Sequence, residues 1–172
     1  MEITNQIQTH ILSHLINDEE YCRRVIPFLK KEYFEHEHRV AFDMVVQFVT
    51  THNKIPSGKI LELELKKVQA PDDVLTRTQE LITEMKDRSD IDLDYLITES
   101  EKWCKERAVY NAIMDSIQII DGKDNERSEG AIPEILSKAL GVSFDEAIGH
   151  DYIDNSEERF EFYNRKEDRI PF

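Results

Sequence analysis

Three groups of histidine and carboxylate residues are the first places where this sequence could do chemistry. His36-Glu37-His38 sets two imidazoles around a carboxylate, donor types that suit zinc. Residues two apart do not share a helix face, and no third ligand stands nearby, so both histidines are expected at a loop-to-helix junction. His10 and His14 have the four-residue spacing of paired ligands on one helix. They lack the glutamate and third ligand of a zinc site and are expected at the surface or the edge of the core. His150-Asp151, with Asp145, Asp154 and Glu158 near, could hold a catalytic metal only with further histidines and aspartates from other helices. A turn, with Asp154 or Asn155 capping the charged helix that follows, is the simpler expectation. No Ser/His/Asp set, Cys/His pair or activated lysine is arranged for nucleophilic catalysis.

Phosphate chemistry fares no better. The phosphate loop Gly-x-x-x-x-Gly-Lys-Ser/Thr occurs nowhere, since Gly141 and Gly149 are too far apart and no lysine follows. ATP hydrolysis of the P-loop type is therefore excluded for this segment, and no catalytic, cofactor-binding or metal-binding residue is expected in it. What remains is the work of surfaces, and the elements that present them.

Apolar residues recur at helical spacing almost throughout the chain, and only five glycines and five prolines interrupt it, which predicts an all-α fold with no sheet. Ile3, Ile7, Ile11 and Leu15 mark a first helix, ended at Asn17-Asp18, with Asp18 capping a second. Pro27 limits that helix, and Phe28, Leu29, Tyr33 and Phe34 supply core. A third helix over about 37–52 buries Ala41, Met44, Val45 and Phe48. Ser57 caps a fourth through Leu61 and Leu65, and Pro71 opens a fifth.

The long helix runs from about Asp92 to Ile120, with Leu96, Trp103, Tyr110 and Ile117 seven apart and Ile113 and Ile120 on the neighbouring row. It is expected to pair with the helix beginning near Pro71 as a protruding hairpin, about 71–120, or with the same helix of another subunit, though its period alone suits an ordinary bundle helix equally well. Residues 1–122 form the helical bundle with this hairpin. Residues 123–130, with Asp121 and Gly122 before them, carry no apolar side chain and predict a flexible linker. From 131 on, Ile132, Ile135, Leu136, Ala139 and Leu140 form one stripe of a short amphipathic helix that must dock on something, since so short a helix is unstable alone. Leu96, Trp103, Tyr110, Ile117 and these five are the expected oligomer or partner contacts.

The chain of 172 residues carries 36 acidic against 22 basic residues, a net charge of −14. Such a surface repels phosphate, so a basic protein partner is more natural than nucleic acid. Cys22 and Cys104 imply no disulfide framework. No basic region precedes an apolar run at the start, and no stretch is apolar enough to cross a bilayer, so a cytoplasmic protein with no membrane partner is expected.

The C-terminal third supplies the most specific words: Gly130-Ala131-Ile132-Pro133, Ser143-Phe144-Asp145, Gly149-His150-Asp151 and Ile170-Pro171-Phe172, in that order. They resemble the connector of the T-even-type phage replicative helicases, of the DnaB-like hexameric family. Ile11-Leu12-Ser13-His14-Leu15-Ile16 with Asp18, and Glu32-Tyr33-Phe34-Glu35, look like the opening of that helicase. Glu106-Arg107-Ala108-Val109-Tyr110-Asn111-Ala112 resembles its hairpin region. More distantly, Ile11-Leu12, Phe34, His38-Arg39 and Phe42 are similar to the N-terminal bundle of bacterial DnaB. Residues 69–90 match only as helical pattern.

The resemblance implies an all-α collar domain that builds a homo-oligomeric ring, usually a hexamer made as a trimer of dimers, and that meets the primase. It implies that the helix over 131–140 packs on a neighbouring subunit's motor, and that residues up to 172 lead into a RecA-like ATPase lying beyond Phe172. The full-length protein would unwind DNA at the replication fork in the host cytoplasm with ATP and Mg²⁺, touching DNA only through that motor. No ATP- or DNA-contacting residue carries over to this segment. The alternative is a stand-alone helical adaptor or regulator of a helicase ring.

Overall fold

The structure is a computed structural model that describes residues 2–88 and 90–144. Seven α-helices, and no strand, occur among them: α1 (Glu2–Asn17), α2 (Glu19–Val25), α3 (His36–His52), α4 (Gly58–Leu65), α5 (Asp72–Met85), α6 (Leu93–Ile120) and α7 (Ile132–Leu140). The all-α expectation is borne out. The caps read at Asp18 and Ser57 hold, and Asp92 proves to be a third. Asp18 accepts from the Tyr21 N–H at 3.1 Å, Ser57 from Ile60 at 3.2 Å and Asp92 from Tyr95 at 3.0 Å, each satisfying an N–H that the first helical turn leaves free. Asn53 closes α3 in the left-handed conformation at φ 54°, a position asparagine tolerates.

The head of the molecule is α1–α5 and the first half of α6. Ile11, Leu12, Leu15, Tyr21, Val25, Ile26, Phe34, Val45, Leu61, Ile82 and Leu96 pack together with almost no exposure. Two polar devices fix how the helices meet. Ser13 on α1 lies 3.0 Å from the carbonyls of Met85 and Asp87, and Asn17 donates to Met85 at 2.8 Å, so α1 satisfies the free carbonyls at the end of α5. Buried Tyr21 meets Ser100 at 2.6 Å. Because Ser100 spends its single hydroxyl hydrogen on the Leu96 carbonyl at 2.7 Å, Tyr21 is the donor, and α2 is tied to α6. Burial pushes the Tyr21 phenol far above its usual range, leaving it a neutral structural group.

The hairpin expected between the helix near Pro71 and α6 does not form. α5 packs on α3, α1 and α4, and the most extensive contact of α6 is with α7. The hairpin is α6–α7. The reason lies in the connecting residues, which make an ordered turn rather than a loose linker. Gly122 adopts φ 75° just past the end of α6, and Lys123 donates to the Gln118 carbonyl at 3.0 Å. The Asp124 carboxylate then accepts from the backbone N–H groups of Glu126 and Arg127 and from the Arg127 guanidinium, which also reaches Asp115 at 3.6 Å. Those three donors, the Glu126 N–H foremost, hold the Asp124 carboxyl below its ordinary value. A polar run with no apolar residue is equally what a linker and a capped turn require, so composition could not separate them. The chain therefore doubles back, and α7 lies on α6 of its own chain.

Candidate functional site

The two halves of α6 are built from different residues. From Leu93 to Arg107 the helix carries Asp94, Glu99, Glu101, Lys102, Lys105, Glu106 and Arg107; from Ala108 to Ile120 its one charged residue is Asp115, in a chain that is 34% charged. The head seats the helix at the boundary between them. Arg107 donates through Nε to the Tyr33 carbonyl at 2.9 Å and pairs with Glu35 at 3.3 Å, and Asn111 donates to the Glu32 carbonyl at 3.0 Å. The Arg107 guanidinium also lies over the Tyr110 ring, 4.8 Å from its centre.

Beyond that seat α6 has two apolar faces. One, with Ala108, Ala112, Ser116 and Ile119, is buried, and α7 lies on this part of the helix. The other presents Tyr110, Ile113, Met114, Ile117 and Ile120, each 40 to 61% exposed. Steps of three and four residues keep these five on one side of the helix, so they form a continuous strip. No other described helix exposes more than one large apolar residue. Burying such a strip is favoured by about 25 cal/mol for each Å² removed from water, and monomers seldom leave one uncovered. Uncharged apolar surface on an acidic molecule is suited to contact with a surface of its own kind.

The heptad expected to mark contacts is split by this arrangement. Leu96 and Trp103 sit in the core of their own chain, 1% and 4% exposed, with Trp103 against Phe34 and Tyr33, so neither is available to another subunit. Tyr110 and Ile117 face solvent. A straight helix drifts about 20° per heptad against a seven-residue repeat, so a stripe read over four heptads leaves one face for another. Met114, four residues after Tyr110, belongs to the exposed strip and was missing from the sequence-derived set; that spacing was the available signal. On α7, Ala139 is buried, Ile132, Ile135 and Leu136 are partly covered, and Leu140 is exposed.

The histidine clusters come apart on the structure. His36 is exposed at φ 48°, while His38 is buried with Nε2 3.1 Å from the Thr9 hydroxyl. His14, expected at the surface or the core's edge, is buried: Nδ1 donates to the His10 carbonyl at 2.9 Å and the ring meets Tyr21 edge-on. Among the described residues no group of three His, Cys, Asp or Glu is placed to hold a metal, and no helix is long and apolar enough to cross a membrane. His150, Asp151 and the words that follow lie outside the described residues. A groove of about 830 Å³ between α1, α3 and α5 is lined by Glu37, Glu80 and Glu84 with His10, His38 and Arg77, a set that repels phosphate.

No family model matches the chain. It is similar to a DnaB-like replicative helicase of Enterobacteria phage T4, 33% identical over 171 residues that take in 94% of this chain and 36% of that protein. The resemblance drawn from the ordered C-terminal words and from the N-terminal and hairpin residues is borne out by this match, and the chain spans little more than a third of that relative's length.

Proposed function

We propose that this chain is the collar and connecting region of a replicative DNA helicase, serving assembly of subunits into a ring and docking of the primase. The observation that carries this reading is the exposed, nearly uncharged strip Tyr110–Ile113–Met114–Ile117–Ile120, on a protein similar to a replicative helicase. Helices that expose such a strip pair with one another, as in coiled coils and bundles. A hexamer is the expected ring, and the full-length protein would unwind duplex DNA with ATP and Mg²⁺. The net charge of −14 supports a reading in which DNA contact falls to other parts of that protein.

On this reading subunits meet at the strip rather than at Leu96 and Trp103, which the head buries. The test is light scattering on the chain and on an Ile113→Asp/Ile117→Asp variant. The chain should self-associate as its concentration rises, and the variant should stay monomeric with an unchanged helical signal. A variant that associates like the parent rejects the strip as an assembly surface. Primase docking is tested by titrating the cognate primase against both proteins; absence of binding to either removes that half of the proposal.

A further inference from the structure

Of the described α-helices, α7 buries the fewest side chains. α7 is nine residues long, too short to hold its shape unaided, yet Ala139 is its one buried residue. An open cleft of about 300 Å³ lies beside it, bordered by Ile135 and Ala139 of α7 and by Tyr33, Ala108, Ala112 and Asp115. The Glu134–Lys138 pair lies within α7 and ties it to nothing else. Its two ends are held differently. The Asp124–Arg127 turn joins it to the tip of α6. At the other end Phe144, 8% exposed, stacks on Phe28 at 4.7 Å, and Phe28 belongs to the short helical turn Ile26–Phe28 of the head.

We propose that α7 and the strap of residues 142–144 open as one unit, hinged on the 121–131 turn, while the head stays folded, and that Phe144 on Phe28 is the latch. Closed, the unit covers Ala108, Ala112 and Ile119. Open, it uncovers a second apolar face of α6, about a third of a turn from the strip proposed for assembly. This inference concerns the single chain and does not depend on the proposed function. Local opening of this kind is expected where few apolar contacts secure an element.

The test uses the native thiols as an internal standard, since Cys22 and Cys104 are fully buried in the head. Ala112→Cys places a third thiol under α7. In the folded protein a thiol reagent should label position 112 while Cys22 and Cys104 stay unlabelled. Adding Phe144→Ala should speed labelling at 112 at least about tenfold without exposing the head thiols, and the milder Phe28→Leu should act in the same direction. Labelling of all three thiols at one rate, in any of these backgrounds, would overturn the proposal. So would a rate at position 112 that neither substitution changes.

Discussion

The first and second halves of α6 lie on one helix and in one register, yet they use their apolar residues in opposite ways. The first half is crowded with charge and still buries Leu96, Ser100, Trp103 and Cys104 in the head. The second half is almost free of charge and leaves Tyr110, Ile113, Met114, Ile117 and Ile120 in solvent. If exposure followed composition, the charged half would be the solvated one. The inversion is what the proposed assembly surface calls for, while in the first half charged Arg107 itself binds the head. The boundary falls at Arg107 and Asn111, the two side chains that bind α6 to the 32–35 segment.

The contrast can be broken from either side. Phe34 stacks on Phe42 at 4.5 Å and packs against Trp103, so Phe34→Ala should cost on the order of 4 kcal/mol in denaturant unfolding. The Ile113→Asp/Ile117→Asp pair should change unfolding of the dilute, monomeric chain by less than about 1 kcal/mol, since both side chains are already in water. If the two variants lost similar stability, the strip would be core and the contrast false. Arg107→Ala removes one charge-assisted hydrogen bond and one partly exposed ion pair, and should cost about 1–2 kcal/mol by the same measurement. An unchanged midpoint would show that the seat does not hold α6.

The smallest effect expected is one of pH in the head. Burial holds the His38 imidazole below its ordinary 6.5, against the opposing pull of Glu37, Glu84 and Glu35. The unfolded chain then takes up its proton near 6.5 and the folded chain at lower pH. Stability from this group is full above about 6.5 and declines as pH falls from there through the folded value. Urea unfolding across this range should show that decline, and His38→Gln should flatten it. A slope that survives the substitution belongs to other groups.

Much of the fold was legible because it is written in local chemistry. Asp18 and Ser57 announce helix starts through side chains that bond the next turn, and Ala41, Met44 and Val45 announce a buried face through their spacing. The partner of α6 was not legible. Its choice depends on whether 121–130 closes into a turn, and that rests on Asp124 gathering three donors, a geometry that neither periodicity nor polarity encodes. The candidate surface was half legible: Tyr110 and Ile117 were named for it, but spacing alone could not say that the head would claim Leu96 and Trp103 and leave Met114 and Ile120 outside. His14 shows the same limit, since an imidazole is buried without penalty only when a carbonyl such as that of His10 accepts its N–H.

The most direct measurement is the reactivity of an Ile117→Cys thiol as the protein is concentrated, with buried Cys22 and Cys104 as silent companions. If the strip is where subunits meet, labelling should be fast in dilute solution and slow progressively as association covers position 117, while an Asp at Ile113 restores the fast rate. A rate that does not vary with concentration, in a preparation that light scattering shows to be associated, would place the contact elsewhere and contradict the account.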